Sequence, residues 1–114
     1  WKSSDGGQTW KPTFDNQTSQ AIGALAVAPT NPNVVWAGTG EAWAVRDMDM
    51  MGDGIYKSTD AGETWTNMGL KETGRIGTIV AVGVPPVPGA LTALGQGRNG
   101  EAFRHAGRRC AKVN

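Results

Sequence analysis

One stretch of this chain occurs twice. Residues 2–10 read Lys-Ser-Ser-Asp-Gly-Gly-Gln-Thr-Trp and residues 57–65 read Lys-Ser-Thr-Asp-Ala-Gly-Glu-Thr-Trp, six identities in nine positions at an offset of 55. Trp1 aligns with the aromatic Tyr56, and Ala-Ile-Gly-Ala-Leu at 21–25 resembles Arg-Ile-Gly-Thr-Ile at 75–79. A repeat of this period implies units that cannot bury their apolar faces alone and do so against their neighbours.

The nine-residue unit has the chemistry of a tight hairpin connection. Its Asp accepts from backbone N–H groups just downstream, and its Gly supplies positive φ without a steric penalty. Thr and Trp then open a strand, where a β-branched and an aromatic side chain suit a pleated surface. Ala21–Ala28 alternates as a strand, Pro29–Asn33 is dense turn chemistry, and Val34–Thr39 is a second strand. After a longer irregular excursion from Gly40 to Asp53, Gly54–Ser58 and Thr64–Met68 are the third and fourth strands. The expectation is a four-stranded antiparallel meander over about 50 residues, the size of one propeller blade, with Gly74–Val82 starting the next.

Ser-x-Asp-x-Gly-x-Thr-Trp resembles the Asp-box, or bacterial neuraminidase repeat. Ser3, Asp5, Gly7, Thr9 and Trp10 fill it once, and Ser58, Asp60, Gly62, Thr64 and Trp65 fill it again. The text around the second copy, Val34 to Glu41 and Gly52 to Ser58, is similar to bacterial relatives of the sortilin/Vps10 propeller, often labelled BNR-repeat glycosyl hydrolases. The resemblance covers about residues 1–82 and implies an all-β β-propeller fragment: one complete four-stranded antiparallel blade plus parts of two flanking blades. On that reading residues 1–19 end a preceding blade, 20–70 are the complete blade, and 71–84 begin the next. The box is specific for fold and weak for activity, because sialidases, xyloglucan-cleaving enzymes, photosystem assembly factors and sorting receptors all carry it. The missing blades of a parent protein are the first expected partners, and a protein or glycan ligand the next. The chain opens at Trp1 without an initiator Met or a signal segment, which reads as an internal section of something longer; the resemblance implies a secreted or periplasmic parent.

Composition narrows the classes. Eleven Lys plus Arg against ten Asp plus Glu leave a net charge of +1, which provides no field for nucleic acid, and no apolar run is long enough to span a bilayer. The charge is unevenly placed: residues 1–84 carry −3 and residues 85–114 carry +4. Seven of the eight aromatics lie before residue 66, so 85–114 reads as an irregular Gly/Arg-rich tail. A second reading of the tail is a reading-frame slip. With Gly107-Arg108-Arg109 encoded GGA-CGG-CGG, a one-base shift gives Asp-Gly-Gly, the heart of a third box about one blade after Asp60.

Candidates for chemistry are few. His105 and Cys110 are the only residues of their kinds, which supports neither a zinc site nor a Cys/His nucleophile pair. Gly95 to Gly100 matches GxGxxG without the flanking context that gives it meaning. The acidic run Asp47, Asp49, Asp53 fails an EF-hand at Met51 and Ser58, so no metal and no cofactor is implied. Asn16-Gln17-Thr18 is a formal glycosylation sequon. Asp5 and Asp60 read as turn-fixing residues, Lys2 and Lys57 as exposed strand residues. Long loops on rigid scaffolds gather function, which singles out Gly40–Asp53. Glycoside hydrolysis needs two carboxyl groups about 5 to 9 Å apart, with an aromatic to stack on a sugar. Glu41 and Asp53 are the candidate catalytic carboxylates, Trp43 and Arg46 the candidate ligand-binding residues, and the remaining groups would come from another blade. Only Arg46 and Arg75 lie in the repeat region, too few for a sialidase arginine cluster. The sequence therefore favours a binding or scaffold module, with a glycoside hydrolase as the alternative.

Overall fold

The computed structural model describes residues 1–41, 50–82, 90–96, 102–106 and 109–113, and these are all-β with no helix. Four strands form an antiparallel meander: β1 (Ile22–Ala28), β2 (Asn31–Thr39), β3 (Ile55–Ser58) and β4 (Thr66–Gly69), paired in chain order. The expected strands are all present, with ends shifted by three residues at most. The largest shift is at β2, which begins at Asn31 inside the expected turn. There the Asn31 side chain accepts from the Asn33 N–H at 3.1 Å. Pro32 is tolerated because β2 pairs with β3 only over Val35–Gly38, so its missing N–H interrupts no ladder there.

A second sheet follows, with order β5 (Arg75–Val82), β6 (Ala90–Gln96), β7 (Ala102–Ala106) and β8 (Arg109–Val113). The expected start of a further strand unit at Gly74–Val82 is thus β5. Within residues 85–114, read from composition as an irregular tail, the described backbone consists of three paired strands. Neither Ala-Phe-Arg-His-Ala nor Arg-Cys-Ala-Lys-Val alternates strictly between apolar and polar residues, so periodicity does not mark these strands in the sequence. His105 and Cys110 fall opposite one another in the β7–β8 register.

Cross-strand partners point to the same side of a sheet, so the register assigns the faces. Ala26, Trp36, Lys57 and Thr66 lie in one row across the first sheet. On this face Trp36 and Ile55 pack with Ile76 and Ile79 of β5, and Ile55 and Ile76 are fully buried. Burial of side chains of this size stabilises by about 1.5–3 kcal/mol each. The close approach has a specific cause: a Cβ on Gly38 would come within 2.4 Å of Ile76, so only glycine lets β5 sit this near β2. Lys57 lays its ammonium 5.2 Å from the centre of the Trp36 ring and closes the margin of this cluster. On the opposite face Ala37 and Tyr56 are buried by Phe14, with Trp65 against the same cluster. Both faces of one four-stranded sheet are therefore apolar, and segments before and after it in the chain cover them.

Candidate functional site

The two nine-residue units are the same object. In each, two successive residues have positive φ: Gly6 (71°) and Gly7 (90°) in the first, Ala61 (58°) and Gly62 (85°) in the second. That is the requirement of a mirror-type hairpin bend, and it explains the Gly-rich sequence. The first bend is framed by a bridge between Lys2 and Lys11, the second by the pairing of Lys57 with Thr66, identical at the 55-residue offset. In the first copy Lys2 and Lys11 exchange both backbone bonds, at 2.8 and 2.9 Å.

The side chains brace the bends from within. The Ser3 hydroxyl donates to Asp5 Oδ1 at 2.8 Å and accepts from the Gly7 N–H at 2.8 Å. Asp5 Oδ1 accepts from the Thr9 N–H at 2.9 Å, and Oδ2 accepts from the Thr9 hydroxyl at 2.6 Å. Ser58, Asp60, Gly62 and Thr64 repeat the scheme at 2.7, 2.8 and 2.9 Å, with a further Thr64 hydroxyl bond to Asp60 Oδ2. The Glu63 N–H adds a donor to Asp60 Oδ1 at 3.0 Å. These donors hold both carboxyls ionised: the Thr9 hydroxyl, then its N–H, then Ser3 bring Asp5 from an ordinary 3.8 down to about 2. Asp60 is lowered further, chiefly by the Thr64 and Ser58 hydroxyls. Carboxylates so engaged are bend-closing groups, ill suited to proton transfer at neutral pH.

The first hairpin docks onto the second through two contacts. Glu63 receives the Lys2 ammonium on Oε1 at 2.6 Å and the Lys11 ammonium on Oε2 at 2.5 Å, so one carboxylate spans both arms of the first hairpin. Its pKa is lowered by Lys11 first and Lys2 second. Phe14 then inserts edge-on between Tyr56 and Trp65, with ring centres 5.0 and 5.3 Å away. The sequence reading missed Glu63, Lys11 and Phe14, and Lys2 is a half-buried ion-pair partner rather than a free surface residue. The available signal was the pair of lysines framing the first unit, together with Glu63 standing where the first unit has Gln8.

Of the excursion candidates, Trp43 and Arg46 lie outside the described residues, as do Asp47 and Asp49. Glu41 closes the base of the loop: its N–H donates to the Met50 carbonyl at 2.9 Å, and its carboxylate accepts from the Met50 N–H at 3.3 Å. Asp53 belongs to a separate hydroxyl cluster. Its Oδ2 accepts from the Tyr56 hydroxyl at 2.8 Å and from Thr18, while Thr39 Oγ1 accepts from the Asp53 N–H at 2.9 Å. Asp53 thereby ties β3, the end of β2 and the segment after Phe14 together. The described contacts thus give Glu41 and Asp53 different partners: Met50 for Glu41, and Thr18, Thr39 and Tyr56 for Asp53. Among the described residues no group of three His, Cys, Asp or Glu could hold a metal ion. A shallow groove of about 220 Å³ runs beside the second bend, lined by Lys57, Thr59, Thr64, Thr66 and Met68. No protein-family model, curated protein or solved structure matches the chain.

Proposed function

We propose that this chain is a section of an Asp-box β-propeller, with β1–β4 as one complete blade, and that it serves as an extracytoplasmic binding or scaffold module for a protein or glycan. The observation that carries the reading is the pair of identical, self-braced aspartate bends, one docked on the other through Phe14 and Glu63. Such bends set the spacing of successive sheets and leave ligand contact to the loops between them. The two-faced apolar sheet supports the same reading, since a blade inside a ring needs a neighbour on each side. The extracytoplasmic setting rests on the resemblance of the box and its surroundings.

The test is a longer protein containing this section, assayed against polysaccharides for both binding and release of reducing ends. The expected result is binding without turnover, unchanged by Glu41→Gln. Turnover that disappears with Glu41→Gln or Asp53→Asn while the protein stays folded would replace the module with a glycoside hydrolase.

A further inference from the structure

His105 and Cys110 are five positions apart in the chain, and that spacing alone gives no reason to pair them. The β7–β8 hairpin does: the two residues are partners in an unbroken antiparallel register, in which Phe103 and Lys112 are partnered two positions away. Directly opposed residues of such a pair share a face and stand about 4.5–5.5 Å apart at Cβ. Since every second residue of a strand returns to the same side, His105, Cys110, Phe103 and Lys112 occupy one face. The neighbouring strand β6 places Leu91, Ala93 and Gly95 on that face, none of which titrates. Arg104 and Arg109, the other charged residues of β7 and β8, fall on the opposite face, and both are cations. Among the described strands the first sheet meets the second through β5, whereas β7 and β8 keep their main contacts within their own sheet, with β8 at its edge. The His105–Cys110 pair thus lies beyond the interface that buries Ile76 and Ile79.

We propose that the register of β7 and β8 makes His105 and Cys110 a thiol–imidazole pair, and that Cys110 is a site of exchange with anionic low-molecular-weight disulfides. A cysteine reacts as its thiolate, which a neighbouring imidazole and ammonium favour. On this face His105 is the residue whose side chain takes up a proton near neutrality, and Lys112 adds a fixed positive charge two positions from Cys110. In the exchange the Cys110 thiol gives its proton to His105 and the thiolate attacks one sulfur of the disulfide. A bond forms between Cys110 and that sulfur as the original sulfur–sulfur bond breaks; the departing thiolate takes the electron pair and then the proton held by His105. The anionic preference follows from charge, since residues 85–114 carry +4 and β7 and β8 contain no carboxylate. Cys110 is the one cysteine of the chain, so no second thiol of the same chain resolves the mixed disulfide, and an external thiol is needed to remove it. None of this depends on the propeller reading, which concerns the first sheet.

The experiment alkylates the full 114-residue chain with iodoacetamide across a range of pH, folded and in concentrated urea, and follows the single cysteine by mass. In urea the rate should rise with an inflection near the ordinary thiol value of about 8.5. In the folded chain the inflection should fall lower by about one unit or more. His105→Gln should return it toward the urea value and Lys112→Gln should move it part of the way, with circular dichroism of both variants matching the parent. Mixed-disulfide formation with oxidised glutathione at neutral pH should slow about threefold in His105→Gln, because the loss of thiolate outweighs the gain in nucleophilicity. The ratio of folded to urea rates should be larger for oxidised glutathione than for cystamine, a cationic disulfide. Coincident folded and urea profiles of the unmutated chain overturn the proposal, and this comparison needs no variant to fold. So does a lowered inflection that survives His105→Gln, or a rate ratio as large for cystamine as for oxidised glutathione.

Discussion

Asp5 and Asp60 each use their carboxylate oxygens to close the bend they sit in, and the consequence is a defined acid response. A carboxyl whose folded pKa is depressed adds stability above its unfolded value, and that contribution is lost as pH falls toward the folded value. For Asp5 the window runs from its ordinary 3.8 down to about 2, and for Asp60 it reaches lower still. Thr9→Val removes the largest cause at Asp5; carbon-detected NMR titration should show the Asp5 carboxyl returning toward 3.8, with Asp60 unmoved. The paired bends also expose a residue that is not optimal. Ala61 holds φ 58° where the first copy has Gly6 at 71°. A left-handed alanine costs roughly 1–2 kcal/mol, partly offset by the greater unfolded freedom of glycine. Ala61→Gly should therefore stabilise by about 0.5 kcal/mol in urea unfolding. Gly6→Ala should destabilise by about 1 kcal/mol through backbone strain alone, because an added Cβ meets nothing within 4 Å.

At the scale of elements, the first hairpin is held to the second by an ion-pair fork and an aromatic wedge, which differ in kind. Exposed ion pairs are screened by salt and contribute modestly, whereas Phe14 is buried. Glu63→Gln should speed hydrogen exchange at the Lys2 and Lys11 amides, which donate to one another's carbonyls at 2.8 and 2.9 Å, and high salt should mimic it. The amides that close the Asp60 bend should keep their protection. Phe14→Ala should go further and release the whole hairpin, because truncating a buried phenylalanine costs about 3–5 kcal/mol.

Across the whole molecule, the first sheet is an inner layer whose covering is uneven. β5 covers the Trp36 face, while Phe14 covers only the Tyr56 end of the other. Leu25 and Val27, paired with Ala37 and Val35 on that same side, remain 64% and 53% exposed. Lysine at both positions should change the stability of the 114-residue chain by no more than about 0.5 kcal/mol each, and should reduce its self-association in size-exclusion chromatography. In a longer protein, where the propeller reading places a neighbouring sheet over this face, the same pair should destabilise by several-fold more. An equally small effect there would remove the neighbour from the proposal.

The sequence alone determined what depends on neighbours in the chain. The Asp, Gly and Thr spacing of the two bends, the order of β1–β4 and the start of β5 all follow from turn chemistry and period-two alternation, which act over a few residues. The residues that brace the two bends are legible for the same local reason: every donor that Asp5 uses lies within four residues of it. Tertiary structure decided the rest. That Glu63 spans Lys2 and Lys11, that Phe14 fills the slot between Tyr56 and Trp65, and that Asp53 joins Thr18 and Tyr56 all involve partners 35 to 61 residues apart, except the Asp53–Tyr56 bond. Contacts at that separation leave no periodicity in the sequence, because they depend on how one hairpin lies against the next.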